Sequence, residues 1–309
     1  MRLYDPQLTP EQRQSRQEFG EWQLRLGDGD LPVDNASNIE IPAIFQHRGN
    51  LDSFIQSIYT NLAHRASQFA ANPQASVDEY ITYLQQRCIL APLNLSVSAL
   101  NSKINDMLPG NTITLLSEDG IQDSLLGANA DAPTELLHTI ELSSWPPHLL
   151  NLKTGSVAIV VRNISPFLHN GTRIVIQRLQ QYCIKATIIT GPHKGTEVLI
   201  PRIKFVDNNH ESGLPQIMYR KQFPIRLCWA MTINKAQGQS LAKAWIYLDN
   251  QCFSHGQLYV AFSRAIAPES IKVLTTKVDQ EGRKLATNVV WRELLIHEQQ
   301  QLPPLVPAQ

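Results

Sequence analysis

Two short stretches contain residue types that could handle a phosphoryl group. In WAMTINKAQGQSLAKAWIYL (229–248), an apolar run ends in Thr232, Asn234 and Lys235, passes through Gln237, Gly238 and Gln239, and resumes as a second apolar run. Asn234 can cap a following helix whose free backbone N–H groups attract phosphate, and Lys235 adds a positive charge. Gly238 permits close approach of backbone or ligand. The same residues also fit a plain capped strand-to-helix turn. In GQLYVAFSRAIAPESIKVLT (256–275), Leu258, Val260, Ala261 and Phe262 build an apolar helix that ends in Ser263 and Arg264, just before a strand. An arginine at such a junction can reach across an interface, where its planar fork stabilises charge developing on a phosphoryl group. An ordinary structural salt bridge is the alternative.

Other chemistries find less support. Cys88, Cys183, Cys228 and Cys252 are far apart and form no Cys-x-x-Cys or Cys/His cluster, so they read as small reduced core residues. The nine histidines show no metal-ligand spacing. The N-terminal MRLYDPQLTPEQ has no apolar signal core, and no segment approaches the roughly 20 apolar residues of a membrane helix. A soluble intracellular protein is expected.

The elements that must position these residues can be read from periodicity. Thr9-Pro10-Glu11-Gln12 reads as a capping box with proline at the first helical position; Phe19, Trp22 and Leu26 share a face, and Gly27 stops the helix. Asn50 can cap a second helix with a stripe of Leu51, Phe54, Ile55, Ile58 and Leu62. Ser76 and Glu79 form another capping box, CILAP reads as a short buried strand, and LNLSVSALNSKINDML as a helix with Val97, Leu100, Ile104 and Met107/Leu108 inward. Residues 110–150 read as loop. From SVAIVVR to TEVLIPRIKF the pattern alternates with period two between Gly-rich turns, the reading of a small antiparallel barrel. After Pro224 the α/β rhythm resumes: strand IRLCWAMTI, helix from Asn234, strand KAWIYL, helix from Ser254 and strand IKVLT. The first stretch then lies at the carboxyl end of a strand, where α/β sheets bind ligands.

Charge separates along the chain although the total is zero. Residues 1–150 carry 8 Lys+Arg against 18 Asp+Glu, whereas residues 151–226 carry 11 against 3. A basic segment of that size, coincident with the alternating strands, makes nucleic acid a candidate partner; a solvated basic face is the alternative.

Together, AMTINKAQGQSL and QLYVAFSRA resemble the two late motifs of superfamily-one DNA helicases, in particular the petite-integration-frequency (Pif-type) branch that includes Helitron helicases. LAPLNLSVSALN (90–101), LLNLKTGSVAIVVRNISPFLHNGTRIVI (149–176) and the opening MRLYDPQ extend the resemblance to about residue 276. It implies an α/β fold: a second RecA-like helicase domain at 76–154 and 223–276, interrupted by an inserted Src-homology-three-like antiparallel barrel at 155–222. Residues 1–75 would be a helical linker and entry segment from a first RecA-like domain, and 277–309 a C-terminal extension with a disordered end. By resemblance Arg264 is the arginine finger and Arg2 a second phosphate-sensing arginine. Gln237, Gly238 and Gln239 face the nucleotide, while Thr232, Asn234 and Lys235 lie toward DNA and Asn94 contacts the strand's backbone. Leu93 departs from the threonine often found there, so the resemblance does not carry over that DNA contact. ATP and Mg2+ are the implied cofactors and single-stranded DNA the implied partner. The resemblance also implies a role in repair, recombination, replication or Helitron transposition, with a nuclear location in a eukaryote.

An ATPase of this class needs a Gly-rich phosphate loop and an acidic pair for magnesium. The sequence contains no Gly-Lys-Ser/Thr, and Asp78-Glu79 sits at a helix start instead of after an apolar strand. The expectation is a helicase C-terminal half, inactive as an ATPase without a phosphate-loop RecA-like domain in the same gene or another chain. The alternative is a non-catalytic single-strand-binding protein or transposon remnant. A weaker third reading makes the barrel a peptide-docking module around Tyr182 and Phe205.

Overall fold

The computed structural model describes residues 8–85, 87–122, 133–239 and 241–293. Arg2 lies outside them. The chain forms two compact units, one of Met1–Ile58, Arg87–Val97 and Ala230–Gln309, the other of Tyr59–Gln86 and Ser98–Trp229.

The first unit is built on a parallel sheet with strand order Ala230–Thr232, Arg87–Ala91, Lys243–Leu248 and Ile271–Thr275. Parallel strands are covered on both faces and need continuous apolar runs. Cys88, Ile89, Leu90 and Ala91 supply one, each with no exposed surface. The helix Pro10–Asp28 begins with the expected reciprocal cap: the Gln12 N–H donates to Thr9 Oγ1 at 3.2 Å and the Thr9 N–H to Gln12 Oε1 at 3.1 Å. It ends two residues later than Gly27 predicts, because Gly29 takes the left-handed cap with φ 76°. Phe19 and Trp22 on this helix join Phe45 and Phe262 in a cluster of rings with centroids 4.9–6.3 Å apart. Asn50 caps the helix Leu51–Ile58 through Oδ1, which accepts the Ser53 N–H at 2.9 Å. Leu62 is not on that helix. Asn61, at φ 56°, separates it from the helix Leu62–Ala71.

In the second unit, Pro73–Gln85 starts three residues ahead of the capping box read at Ser76. Asn72 Oδ1 accepts the Ala75 N–H, and Ser76 Oγ instead donates to the Asn72 carbonyl at 2.7 Å. The helix Asn94–Asp106 buries Leu100 and Ile104 as expected. A five-stranded antiparallel sheet runs Ile225–Leu227, Val157–Val160, Arg173–Leu179, Cys183–Ile188, Glu197–Pro201. Its core includes Val160, Ile174, Ile176, Ile184, Ala186 and Phe223. A three-stranded sheet, Ile203–Val206, Met218–Gln222, Glu118–Ile121, packs on Leu137, Leu142 and Trp145.

Three expectations are corrected here. The stretch 110–150 contains the strands Ile113–Leu116, Glu118–Ile121 and Leu149–Leu152 and the helix Thr134–Thr139; strands of four residues are too short for alternation to register. TEVLIPRIKF is two strands in two sheets, broken at Arg202, and IRLCWAMTI is likewise two strands, broken at Cys228-Trp229. A continuous apolar run reports burial, and burial continues across a change of sheet. Cys88, Cys228 and Cys252 are buried and Cys183 is half-buried, and none of the four forms a disulfide. No described helix is long and apolar enough to cross a membrane.

Candidate functional site

The first chemical stretch leaves the parallel sheet at the carboxyl end of Ala230–Thr232, where Thr232 is 9% exposed. Past Ile233 the chain makes a single 3-10 turn, Asn234–Ala236, with no side-chain cap. The helix N-terminus expected to attract phosphate is therefore absent, since three residues align too few N–H groups to form one. Exposed Asn234 is tied by its side chain to buried Gln257, whose Nε2 donates to Asn234 Oδ1 at 3.3 Å. Gln239 Nε2 donates to the Lys235 carbonyl at 3.3 Å. Gly238 has φ 80° and open space where a Cβ would stand, so the left-handed backbone is what requires glycine.

Asn94 opens its helix just past the carboxyl end of Arg87–Ala91 and is exposed, next to Leu95 at 79% exposure. Two residues on, Ser96 Oγ donates to Asp249 Oδ2 at 2.7 Å, tying the helix start to the carboxyl end of Lys243–Leu248. Asn94, Thr232 and Asn234 thus lie at or just beyond the carboxyl ends of adjacent parallel strands.

Arg264 sits on the limb that returns the chain from Lys243–Leu248 to Ile271–Thr275. Its Nε donates to the Val260 carbonyl at 2.9 Å, Nη1 to those of Ala236 at 3.3 Å and Gln239 at 3.1 Å, and Nη2 to Ser263 Oγ at 2.8 Å. These are neutral oxygens, so the alternative of an ordinary salt bridge does not describe this residue. Burial lowers its proton affinity below that of a free guanidinium, which stays charged throughout the physiological range. Four of the five N–H donors are spent on this scaffold. The backbone closes the same contact, the Leu241 N–H donating to the Arg264 carbonyl at 3.0 Å. The structure therefore joins the two stretches directly: Arg264 to the 236–239 loop, Asn234 to Gln257. Sequence reasoning missed Gln257 and the Ser96–Asp249 pair, and no spacing signals either, because their partners are 23 and 153 positions away.

The basic segment of the second unit is less available than its count implies. Arg162, Arg178, Lys194, Lys204 and Lys221 are exposed. Lys153, Arg173 and Arg220 are buried. Lys153 Nζ donates to the Leu108 carbonyl at 2.7 Å, and half-buried Arg226 donates to the carbonyls of Trp145 at 2.6 Å and Leu142 at 2.7 Å. Arg220 grips Asp119 at 2.7 Å, both side chains almost fully enclosed. Lys204 lies 4.0 Å over the Tyr219 ring.

Asp119, His138 and His148 each offer a ligand atom within 4.8 Å of the others, the one such cluster among the described residues. The geometry does not fit one ion. The imidazoles are stacked with centroids 3.7 Å apart, whereas metal–nitrogen bonds of about 2.0–2.1 Å at a tetrahedral angle hold two rings about 5 Å apart.

Comparison with known proteins gives a consistent family. Residues 135–179 match the family model described as DNA helicase Pif1, 2B domain. The ATP-dependent DNA helicase Pif1 of Campylobacter jejuni is 34% identical over 148 residues, 44% of this chain and 33% of that protein. The human ATP-dependent DNA helicase PIF1 is 30% identical over 156 residues, 47% of this chain and 22% of that protein. The chain thus spans about a third or less of the length of these relatives. Among solved structures, Pif1 helicase from Candida albicans aligns with TM-score 0.59 at 18% identity, over 94% of this chain and 59% of that one. Bacteroides Pif1 bound to single-stranded DNA aligns with TM-score 0.51 at 18% identity, over 82% and 55%. The mixed α/β fold is shared with these helicases, and the resemblance read from the late motifs holds: the chain is similar to Pif1-type helicases.

Proposed function

We propose that this chain supplies the second RecA-like domain and the inserted Src-homology-three-like barrel of an ATP-dependent, Pif-type DNA helicase that moves along single-stranded DNA. The observation that carries the reading is the bonding of Arg264 to the Ala236 and Gln239 carbonyls, which makes one structural element of two motifs that lie apart in sequence. In this reading Gln237, Gly238, Gln239 and Arg264, with Arg2, face the nucleotide, while Asn94, Thr232, Asn234 and Lys235 face the DNA. Arg264 lies on the return limb, Asn94, Thr232 and Asn234 lie at the carboxyl ends of the strands, and the 236–239 loop bonded to Arg264 links the two, as a coupling element requires. ATP with Mg2+ is held chiefly by a phosphate loop that this sequence does not contain, so hydrolysis depends on a RecA-like domain from the same gene or another chain. Such a helicase acts in repair, recombination, replication or Helitron transposition, inside the cell and in the nucleus of a eukaryote.

The test is DNA-stimulated ATP hydrolysis by the purified chain, alone and with a phosphate-loop domain supplied. No turnover alone is expected, with turnover on addition that Arg264→Ala reduces by about 10³-fold or more, the scale of an arginine finger. DNA-stimulated turnover by the chain alone, lost in Arg264→Ala, would overturn the dependence on a second domain. A second reading, a non-catalytic single-strand-binding protein, draws on the exposed Arg162, Lys194, Lys204 and Lys221. It predicts salt-sensitive binding without nucleotide and no turnover with any added domain.

A further inference from the structure

Gln257 opens the helix Gln257–Phe262, which ends beside Arg264, and is only 2% exposed. Both ends of its side-chain amide are engaged. Oε1 accepts the backbone N–H of Phe253 at 3.1 Å, and Nε2 donates to Asn234 Oδ1 at 3.3 Å. The backbone around these groups is tied down as well. The Gln257 N–H donates to the Ser254 carbonyl at 3.2 Å, the Gly256 N–H to that of Val289 at 3.0 Å, and the Gln237 N–H to that of Asn234 at 3.3 Å.

These bonds fix which way two amides point. A backbone N–H can only donate, so the Gln257 atom facing Phe253 is its oxygen and the atom facing Asn234 is its nitrogen. That nitrogen in turn can only donate, so Asn234 meets it with Oδ1 and turns Nδ2 away. Asn234 is exposed, and Nδ2 has no partner among the described residues, so the group it offers outward is an N–H donor. Lys235, exposed beside it, adds positive charge. A donor next to a cation suits an anionic acceptor, such as a phosphodiester oxygen of a single strand.

We propose that Gln257 is a positioning residue that sets the polarity of Asn234: through it, the Phe253 N–H holds Asn234 Nδ2 outward as a donor to a strand phosphate. The inference rests on the DNA-facing assignment of Asn234 made above. The amide is already turned when the phosphate arrives, so binding does not have to order or reverse it. Reversing Asn234 would set its Nδ2 against Gln257 Nε2, donor against donor, and reversing Gln257 would set Nε2 against the Phe253 N–H. Gln257→Glu inverts the relay. Its carboxylate still accepts the Phe253 N–H but can only accept from Asn234 as well, which then turns Nδ2 inward and presents Oδ1, an acceptor, to the phosphate.

Fluorescence anisotropy of labelled oligothymidylate and oligoadenylate with the full chain tests this through a cycle of Gln257→Glu, Asn234→Ala and the double variant. Gln257→Glu should weaken binding about tenfold more in the wild-type background than in the Asn234→Ala background, where only the added charge acts. The excess should be the same on both strands, because a phosphate contact carries no base information. Equal losses in the two backgrounds, or an excess on one strand alone, overturn the inference and leave the DNA-binding reading in place. A wild-type chain that binds neither strand removes that reading and this inference with it. If Gln257→Glu does not fold, side-chain amide exchange in the wild-type chain decides. The Gln257 Nε2 protons should exchange about tenfold more slowly than those of Asn234 Nδ2, and equal rates overturn the relay.

Discussion

Arg264 and Arg220 place the same side chain in two different circumstances. Arg264, half-buried and bonded to neutral oxygens, keeps a loop in place while staying near solvent. Lysine cannot reproduce its fork, so Arg264→Lys should cost about 1–2 kcal/mol in urea unfolding and speed exchange of the Leu241 amide. A variant with unchanged exchange at Leu241 would show that the contact contributes nothing. Arg220, fully enclosed, depends on Asp119 for its counter-charge. Asp119→Asn should destabilise by about 3–5 kcal/mol, because it strands a buried cation, and the shift in denaturant midpoint measures it. Residue types and order were enough to single out Arg264 at a helix-to-strand junction. Neither its bonds to the Ala236 and Gln239 carbonyls nor the role of Asp119 was legible, since nothing local marks partners 28, 25 and 101 positions away.

At the scale of elements, some local caps were readable and others were not. The Thr9–Gln12 box is bonded as the residue types dictate, whereas the end set by left-handed Gly29 lies two residues beyond the expected stop, and the start capped by Asn72 lies three residues ahead of the box read at Ser76. Gly29→Ala should cost about 1–2 kcal/mol in thermal or urea unfolding: the left-handed backbone disfavours a Cβ, which would also stand 3.1 Å from Val290 Cγ1. The same substitution at Gly27, a helical position with no left-handed strain, lacks the backbone term, although its Cβ would meet the Tyr259 ring at 3.0 Å. The return helix Gln257–Phe262 has only six residues, too few to be stable by propensity, so packing must hold it. Phe262→Ala, which removes the ring packed against Trp22 and Phe45, should cost about 3–5 kcal/mol and displace Arg264 with the helix. Retention of wild-type stability in that variant would contradict the packing argument.

Across the whole molecule, charge is where sequence and structure differ most in consequence. Eleven cations between 151 and 226 would, on single-stranded DNA, give a salt slope in log K of about −8 if all met phosphate. The five exposed ones alone would contribute about −3.5. Titrating a labelled single strand at several salt concentrations distinguishes the two values. A slope near −8 in a variant with the five replaced by glutamine would mean that other surfaces bind the DNA.

The sequence by itself determined which segments could be buried, where the parallel strands of the α/β part lie, and which two motifs carry the helicase resemblance. These depend on side-chain type and period along one stretch of chain, and burial results from them directly. Only the tertiary structure decided that a continuous apolar run is shared between two sheets, that Asn234 faces Gln257 instead of capping a helix, and which cations are neutralised inside the fold. Hydrogen bonds and ion pairs are short-ranged in space and indifferent to separation along the chain, so their partners exist only once the backbone has brought them together.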